Sequence, residues 1–238
     1  MAWRSSGTSN AGAFVFSAFA NTSVKLELVG NLHRHGIITS DRVRRAMLAV
    51  DRALYWPARP YQDAPQPIGF NATISAPHMH AHALNILEPY IQETSHVLDV
   101  GSGTGILVAM FSQLAPRGVS VGIEHVEQLV HSSRDNLARD QSLQGHTGVQ
   151  VVLGDGRLGY PDKAPYDAIH VGAAAYPVPP ALLDQLAPGG CLLLPVGLAG
   201  GDQSMRKIVK KRDGSGFQQE DLFGVRYVPL TSREEQGF

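Results

Sequence analysis

Val97-Leu98-Asp99-Val100-Gly101-Ser102-Gly103-Thr104-Gly105 is a short apolar run that carries an acid near its end and then breaks into glycine at every second position. The stretch that follows, Ile106 to Ala115, is apolar enough for a packed helix. The unit therefore reads strand, glycine-rich turn, helix, the corner on which α/β proteins hold nucleotides. Glycine suits such a turn because the backbone needs unusual angles. A side chain there would also keep a ligand away from the backbone N–H groups and the helix N-terminus.

The spacing separates two cofactor classes. A dinucleotide-binding turn carries G-x-G-x-x-G, whereas here the glycines stand at 101, 103 and 105, with Ile106 where the spaced third glycine would fall. The corner instead resembles the first motif of S-adenosylmethionine (AdoMet) dependent methyltransferases, where no pyrophosphate has to be cradled. Downstream, Val119 to Ile123 is a second apolar run and ends in Glu124, placed to accept hydrogen bonds from ribose hydroxyls. A third run, Val149 to Leu153, ends at Gly154-Asp155-Gly156. An acid after a strand is often only a cap or turn former, but three in succession favour a nucleotide site.

Composition sets limits on function. The chain has 238 residues, 43% hydrophobic and 17% charged, and a formal net charge of −1, which suits one globular α/β domain with an appendage. Its single basic run, Lys207 to Arg212, lacks the footprint of a nucleic-acid binder and reads as an exposed strand whose charges protect a sheet edge. The lone Cys191, in Cys-Leu-Leu-Leu-Pro, reads as a buried strand residue in a reducing compartment.

Taken in order, residues 1–10 are small and polar, with no regular structure expected. Ala11 to Ala20 (AGAFVFSAFA) has the outline of a signal peptide ending in Ala18-Phe19-Ala20. The lone cysteine and the sequon Asn71-Ala72-Thr73, inside a segment that reads as functional, weigh against secretion. Ten residues are also too few for a bilayer, which needs about 20. A loop or a helix extension is expected there. Val24 to Asp51 reads as short helices, with Thr39 or Ser40 as a cap, and Tyr55 to Pro67 is too rich in proline for regular structure. Thr73 and Ser75, two apart in an extended loop, point the same way. They lead into a helix expected over His80 to Tyr90, with Ser75 as a candidate cap and Pro77 in its first turn. His170 reads as a satisfied core residue, and His78 and His80 lack the further ligands a metal site needs.

Together, Ala72-Thr73-Ile74-Ser75-Ala76-Pro77-His78-Met79-His80-Ala81, Leu98 to Gly105, Gly154-Asp155-Gly156-Arg157, Ala164 to Ala175 and Leu186 to Gly197 resemble the protein-L-isoaspartate (D-aspartate) O-methyltransferase family in its animal form. The resemblance begins near residue 24. It implies a Rossmann-like AdoMet-dependent methyltransferase fold: α/β, doubly wound, a mostly parallel seven-stranded sheet with N-terminal helices. Residues 1–23 would be a variable, flexible segment and 24–238 a single domain, divided into helices and active-site loop (24–95) and sheet core with C-terminal strands (96–238).

The implied activity is protein repair. The AdoMet methyl group passes to the free α-carboxylate of L-isoaspartyl, and also D-aspartyl, residues, and the ester closes to a succinimide that opens in part to aspartate. Such an acceptor is already ionised at neutral pH and needs no strong base. Carried over by position, the cofactor would lie against Ala72, Thr73, Ile74, Ser75, His80, Asp99, Val100, Gly101, Gly103, Glu124, His125, Asp155, Gly156, Thr231 and Gln236. The substrate would lie against Thr73, Ser75 and Val228, with Ser75 hydrogen-bonding the incoming carboxylate and no metal involved. Glu124 stands where the family usually has aspartate. The expected partners are damaged proteins and peptides, without nucleic acid or membrane, met by a cytosolic monomer. Two other readings stay open: a carboxyl methyltransferase of a different acid, indifferent to the isoaspartyl linkage, and a non-catalytic AdoMet-binding adaptor.

Overall fold

The computed structural model describes residues 11–232, with side chains from Thr22 onward; expectations for residues 1–10 and for Gln236 lie outside the described residues. Three helices come first: α1 (Ala11–Arg34), α2 (Asp41–Ala49) and α3 (Arg52–Tyr55). The apolar stretch at 11–20 belongs to α1, and the boundary expected at residue 23 falls inside that helix. Ser40 starts α2, its hydroxyl accepting from the Arg42 N–H at 3.2 Å, and Val43, Ala46 and Met47 are its buried stripe.

A small hairpin, β1 (Gln66–Gly69) and β2 (Ala72–Ile74), leads into α4 (Pro77–Leu87) and a 3₁₀ turn (Glu88–Tyr90). The helix starts three residues before the expected His80. Its N-cap is Ala76 rather than Ser75. The capping work falls to a residue from the preceding loop: Asp63 Oδ1 accepts from the His78 N–H at 2.9 Å and lies 2.8 Å from His78 Nδ1. That frees the Ser75 side chain from a capping role.

The rest alternates strand and helix: β3 (His96–Val100), α5 (Ile106–Leu114), β4 (Val119–Glu124), α6 (Glu127–Arg139), β5 (Val149–Leu153), β6 (Tyr166–Val171), α7 (Pro180–Asp184), β7 (Leu186–Val196), β8 (Gln203–Lys210) and β9 (Phe217–Val225). Among the described residues the large sheet has seven strands in the order β5-β4-β3-β6-β7-β8-β9, the first five parallel and the last two antiparallel. Both faces are covered, so the central strands are buried on both sides and largely apolar, with Asp99, Ser120 and His170 among the buried exceptions. Within β7, Cys191 and Leu193 face the core shared with α2, α4 and α5, while Leu192 and Leu194 face the core shared with α7. Burial pushes the Cys191 thiol up to about 12.

The basic run is not on the sheet edge. It lies on β8, one strand in, with Ile208 buried. Arg206 pairs with Asp221 at 2.7 Å and Lys207 with Glu220 at 2.9 Å, both partners on β9. β9 forms the edge because those acids match the cations in register.

One polar cluster ties the N-terminal helices to the loop before α4. Arg52 is 5% exposed; Nη2 donates to the Ser75 carbonyl at 2.8 Å, and Nη1 lies 3.2 Å from His80 Nδ1. Burial lowers the Arg52 guanidinium to about 10, with Asp63 opposing. His80 is held well below the ordinary histidine value, by burial first and then by Arg52, His170 and His78. The folded protein therefore refuses a proton that the unfolded chain accepts. Stability is full above about pH 6.5 and falls as the pH drops below it, with a slope from this residue approaching about 1.4 kcal/mol per pH unit. Urea unfolding between about pH 7 and 5.5 should show that slope and should lose about one proton of it in His80→Gln. An unchanged pH dependence in the variant would contradict the assignment.

Candidate active site

The chain leaves β3 toward β4 and β5 and then returns to β6 on the other side of β3. Connections diverge there, opening a crevice at the carboxyl ends of β3 and β6. The Gly101–Gly105 loop forms its floor. Gly101 and Gly103 have φ of 71° and 51°, and a Cβ on Gly101 would meet nothing within 4 Å, so the loop backbone faces open space. A cavity of about 320 Å³ fills the crevice.

Three acids end the first three parallel strands, and each does something different. Asp99 is buried and bonded to His170, Oδ1 to Nδ1 at 2.7 Å, because the β3–β6 register sets the two residues side by side. It supports the loop from beneath. Glu124 lines the cavity. Its Oε2 accepts the Gly103 N–H at 3.0 Å, and its Oε1 accepts the His125 and Val126 N–H groups at 2.8 and 3.0 Å. A carboxylate has about four acceptor positions, so one remains for a ligand hydroxyl. Asp155 caps the turn at Gly156–Leu158 and holds Arg157, whose hydrogen bonds keep its carboxyl below the usual range. Its glycine neighbour contributes to the cavity instead: a Cβ on Gly156 would come within 2.5 Å of Val100 Cγ1.

The remaining wall comes from the hairpin and from the chain after β9. Phe70 and Asn71 turn the hairpin in left-handed conformations, φ 52° and 53°, which brings Asn71, Ala72 and Thr73 over the loop. After β9 the backbone is held by Ala174, whose N–H donates to the Val228 carbonyl at 2.8 Å and whose carbonyl accepts the Leu230 N–H at 2.7 Å. Val228 and Thr231 thereby reach the cavity.

A second cavity, about 360 Å³, lies alongside. Ser75, Ala76, His78 and Met79 line it on one side and Gly224 to Val228 on the other. Thr73, Gly172 and Val228 line both cavities. Two compartments therefore share a wall in which Gly172 carries no side chain. Burial pushes the Tyr227 phenol up, an effect the neighbouring Ser75 hydroxyl offsets in part.

Of the residues singled out in sequence, Ala72, Thr73, Gly101, Gly103, Glu124, His125, Gly156, Val228 and Thr231 line the first cavity. Thr73, Ser75 and Val228 share the second. Ile74, His80, Asp99 and Val100 are buried behind the walls, and Asp155 stands beside them. Asn71, Ile123, Ala173, Pro229 and Leu230 also line the first cavity, and Met79, Arg226 and Tyr227 the second. Ile123 closes the second apolar run and Ala173 lies in the Ala164 to Ala175 block, while the others stand within two residues of an expected position.

Residues 23–235 match the family described as Protein-L-isoaspartate(D-aspartate) O-methyltransferase (PCMT). The protein-L-isoaspartate O-methyltransferase of Triticum aestivum is 49% identical over 214 residues, which is 88% of this chain and 92% of its own length. That of Caenorhabditis elegans is 46% identical over 238 residues, 99% of this chain and 98% of its own, so its alignment takes in the stretch before residue 24 as well. Among solved structures, a Plasmodium falciparum protein-L-isoaspartate O-methyltransferase in complex with S-adenosyl-L-homocysteine is 34% identical with a TM-score of 0.80, covering 88% of this chain and 99% of that one. With the family model matched over residues 23–235 and relatives 46–49% identical over most of its length, this chain belongs to the protein-L-isoaspartate O-methyltransferase family.

Proposed function

We propose that this chain transfers the methyl group of AdoMet to the free α-carboxylate of isoaspartyl residues in damaged proteins, with AdoMet in the first cavity and the acceptor in the second. The observation that carries the arrangement is the wall common to both, Thr73, Gly172 and Val228. The residues of the first cavity fit the cofactor: a loop backbone without side chains at Gly101, and a carboxylate at Glu124 with acceptor capacity left over. When bound, AdoMet supplies an electrophilic methyl on a sulfonium.

What the chain itself does is bind, orient and exclude water. Glu124 accepts a ribose hydroxyl while its three backbone bonds hold it in place. Ser75 donates its hydroxyl to one acceptor oxygen, leaving the other to face the wall in line with the methyl. No base is needed, because the acceptor is ionised at neutral pH. Met79, Ala76 and Gly172 give the second cavity a partly apolar lining that limits solvation of the carboxylate. Succinimide closure of the ester needs no further group from the protein.

We assign the partners as isoaspartyl-containing proteins and peptides, met by a monomer in the cytosol. The lone, buried Cys191 supports a reducing compartment, and a net charge of −1 weighs against nucleic acid as a partner. Among the described residues no helix is long and apolar enough to cross a membrane.

Two substitutions should separate the cavities. Ser75→Ala should lower kcat/KM for an isoaspartyl peptide about 10- to 100-fold, the worth of a hydrogen bond to a charged group, and leave S-adenosylhomocysteine affinity within about 3-fold. Glu124→Ala should do the reverse in calorimetry, weakening S-adenosylhomocysteine about 10-fold or more. Equal loss of both properties in both variants would contradict the division of labour.

A further inference from the structure

Gln203 opens β8 and is 6% exposed. Its backbone pairs with Val225, the last residue of β9. Before Gln203 the chain turns through Leu198 to Gly201, where the Gly201 N–H donates to the Leu198 carbonyl at 3.1 Å, and the β8–β9 ladder has no backbone pair beyond Gln203 and Val225. The Gln203 side chain takes the place of the next pair. Oε1 accepts the Tyr227 N–H at 2.7 Å, and Nε2 donates to the Tyr227 carbonyl at 3.2 Å. A primary amide carries the same donor and acceptor as a peptide group, so the ladder runs two residues past its last backbone pair. Nε2 also donates to the Leu198 carbonyl at 3.3 Å, which fixes the amide itself.

The segment is thus pinned at two points with different consequences. Ala174 holds Val228 and Leu230, on the first cavity. Gln203 holds Tyr227, which lines only the second cavity, together with Ser75. Gln203 lines neither.

We infer that Gln203 is a positioning residue for the methyl acceptor: its side-chain amide fixes Tyr227 beside Ser75 and so shapes the compartment in which the carboxylate is held. This rests on the reading of Ser75 as the group that binds that carboxylate. Tyr227 is the arm through which Gln203 acts, since it lines the second cavity together with Ser75. Loss of the amide lets the segment move at Tyr227 while Ala174 still holds the part that faces the cofactor. The effect therefore falls on the acceptor and not on AdoMet.

The test is a set of variants assayed with one isoaspartyl peptide for kcat and KM and with S-adenosylhomocysteine by calorimetry: Gln203→Met, Tyr227→Phe, the two combined, and Ser75→Ala. Gln203→Met should lower kcat/KM about 10-fold, mainly through KM, with S-adenosylhomocysteine affinity within about 2-fold. In the Gln203→Met background, Tyr227→Phe should cost nothing further, because the ring is no longer held. Gln203→Asn, which keeps the amide but falls one methylene short of Tyr227, should show the same loss and serves if the methionine variant does not fold. A kcat/KM within about 2-fold of the parent overturns the inference, as do additive effects of Gln203→Met and Tyr227→Phe or an equal loss of S-adenosylhomocysteine affinity. Full activity in Ser75→Ala overturns the reading of the serine itself. An impaired Ser75→Ala beside an unimpaired Gln203→Met overturns only the role of Gln203.

Discussion

The Glu124 carboxylate, gripped by the N–H groups of Gly103, His125 and Val126, is the constraint on which the site depends. It joins the end of β4 to the turn that follows β3, so the glycine loop on the floor of the crevice cannot move independently of β4. Charge-assisted bonds of this kind are among the stronger ones available to a protein. They also orient the carboxylate before any ligand arrives, which lowers the ordering cost of binding. Beneath the same turn, the buried Asp99–His170 pair connects β3 to β6 on the other side of the crevice. The floor of the site is thus fixed from both flanks.

Above that floor the structure divides the chemistry between elements of different origin. The parallel strands supply the floor of the first cavity, at the switch point of the fold. Additions to the sheet complete its wall and build the second cavity: the β1–β2 hairpin with the start of α4, and the segment after β9. Each addition is anchored from behind by a polar side chain that lies outside the cavity. Arg52 holds the Ser75 carbonyl, and Gln203 holds Tyr227. Short loops held in this way combine the reach of irregular backbone with the fixed position that in-line transfer needs.

What could be read from the sequence followed from local periodicity. Cys191 to Leu194 is apolar on successive residues because both sheet faces are covered, and Val119, Val121 and Ile123 alternate with the small Ser120 and Gly122; both patterns mark central strands. The alternating glycines after Asp99 and the acid that ends β4 marked the first cavity, whereas Asp99 and Asp155 line neither cavity. Four features were not legible, each because it depends on residues far apart. Asp63 caps α4 from a loop 15 residues before His78, which displaces the expected Ser75 cap. β9 opens on the polar Phe217-Gln218-Gln219-Glu220-Asp221 and turns apolar only at Leu222-Phe223; the resemblance set a closing strand at Gly224–Thr231, but β9 ends at Val225, so the strand was placed too late and β8 was taken for the edge. The burial of Asp99 against His170 follows from register between strands. The Gln203 clamp is set by where the β8–β9 ladder runs out of backbone pairs, which no spacing rule contains.

If the second cavity selects the α-carboxylate of an isoaspartyl linkage, methyl transfer from labelled AdoMet to two peptides of identical sequence, one with an isoaspartyl and one with an aspartyl linkage, will place base-labile label on the isoaspartyl peptide alone. Equal labelling of both peptides, or of neither while S-adenosylhomocysteine still binds, would contradict that selection.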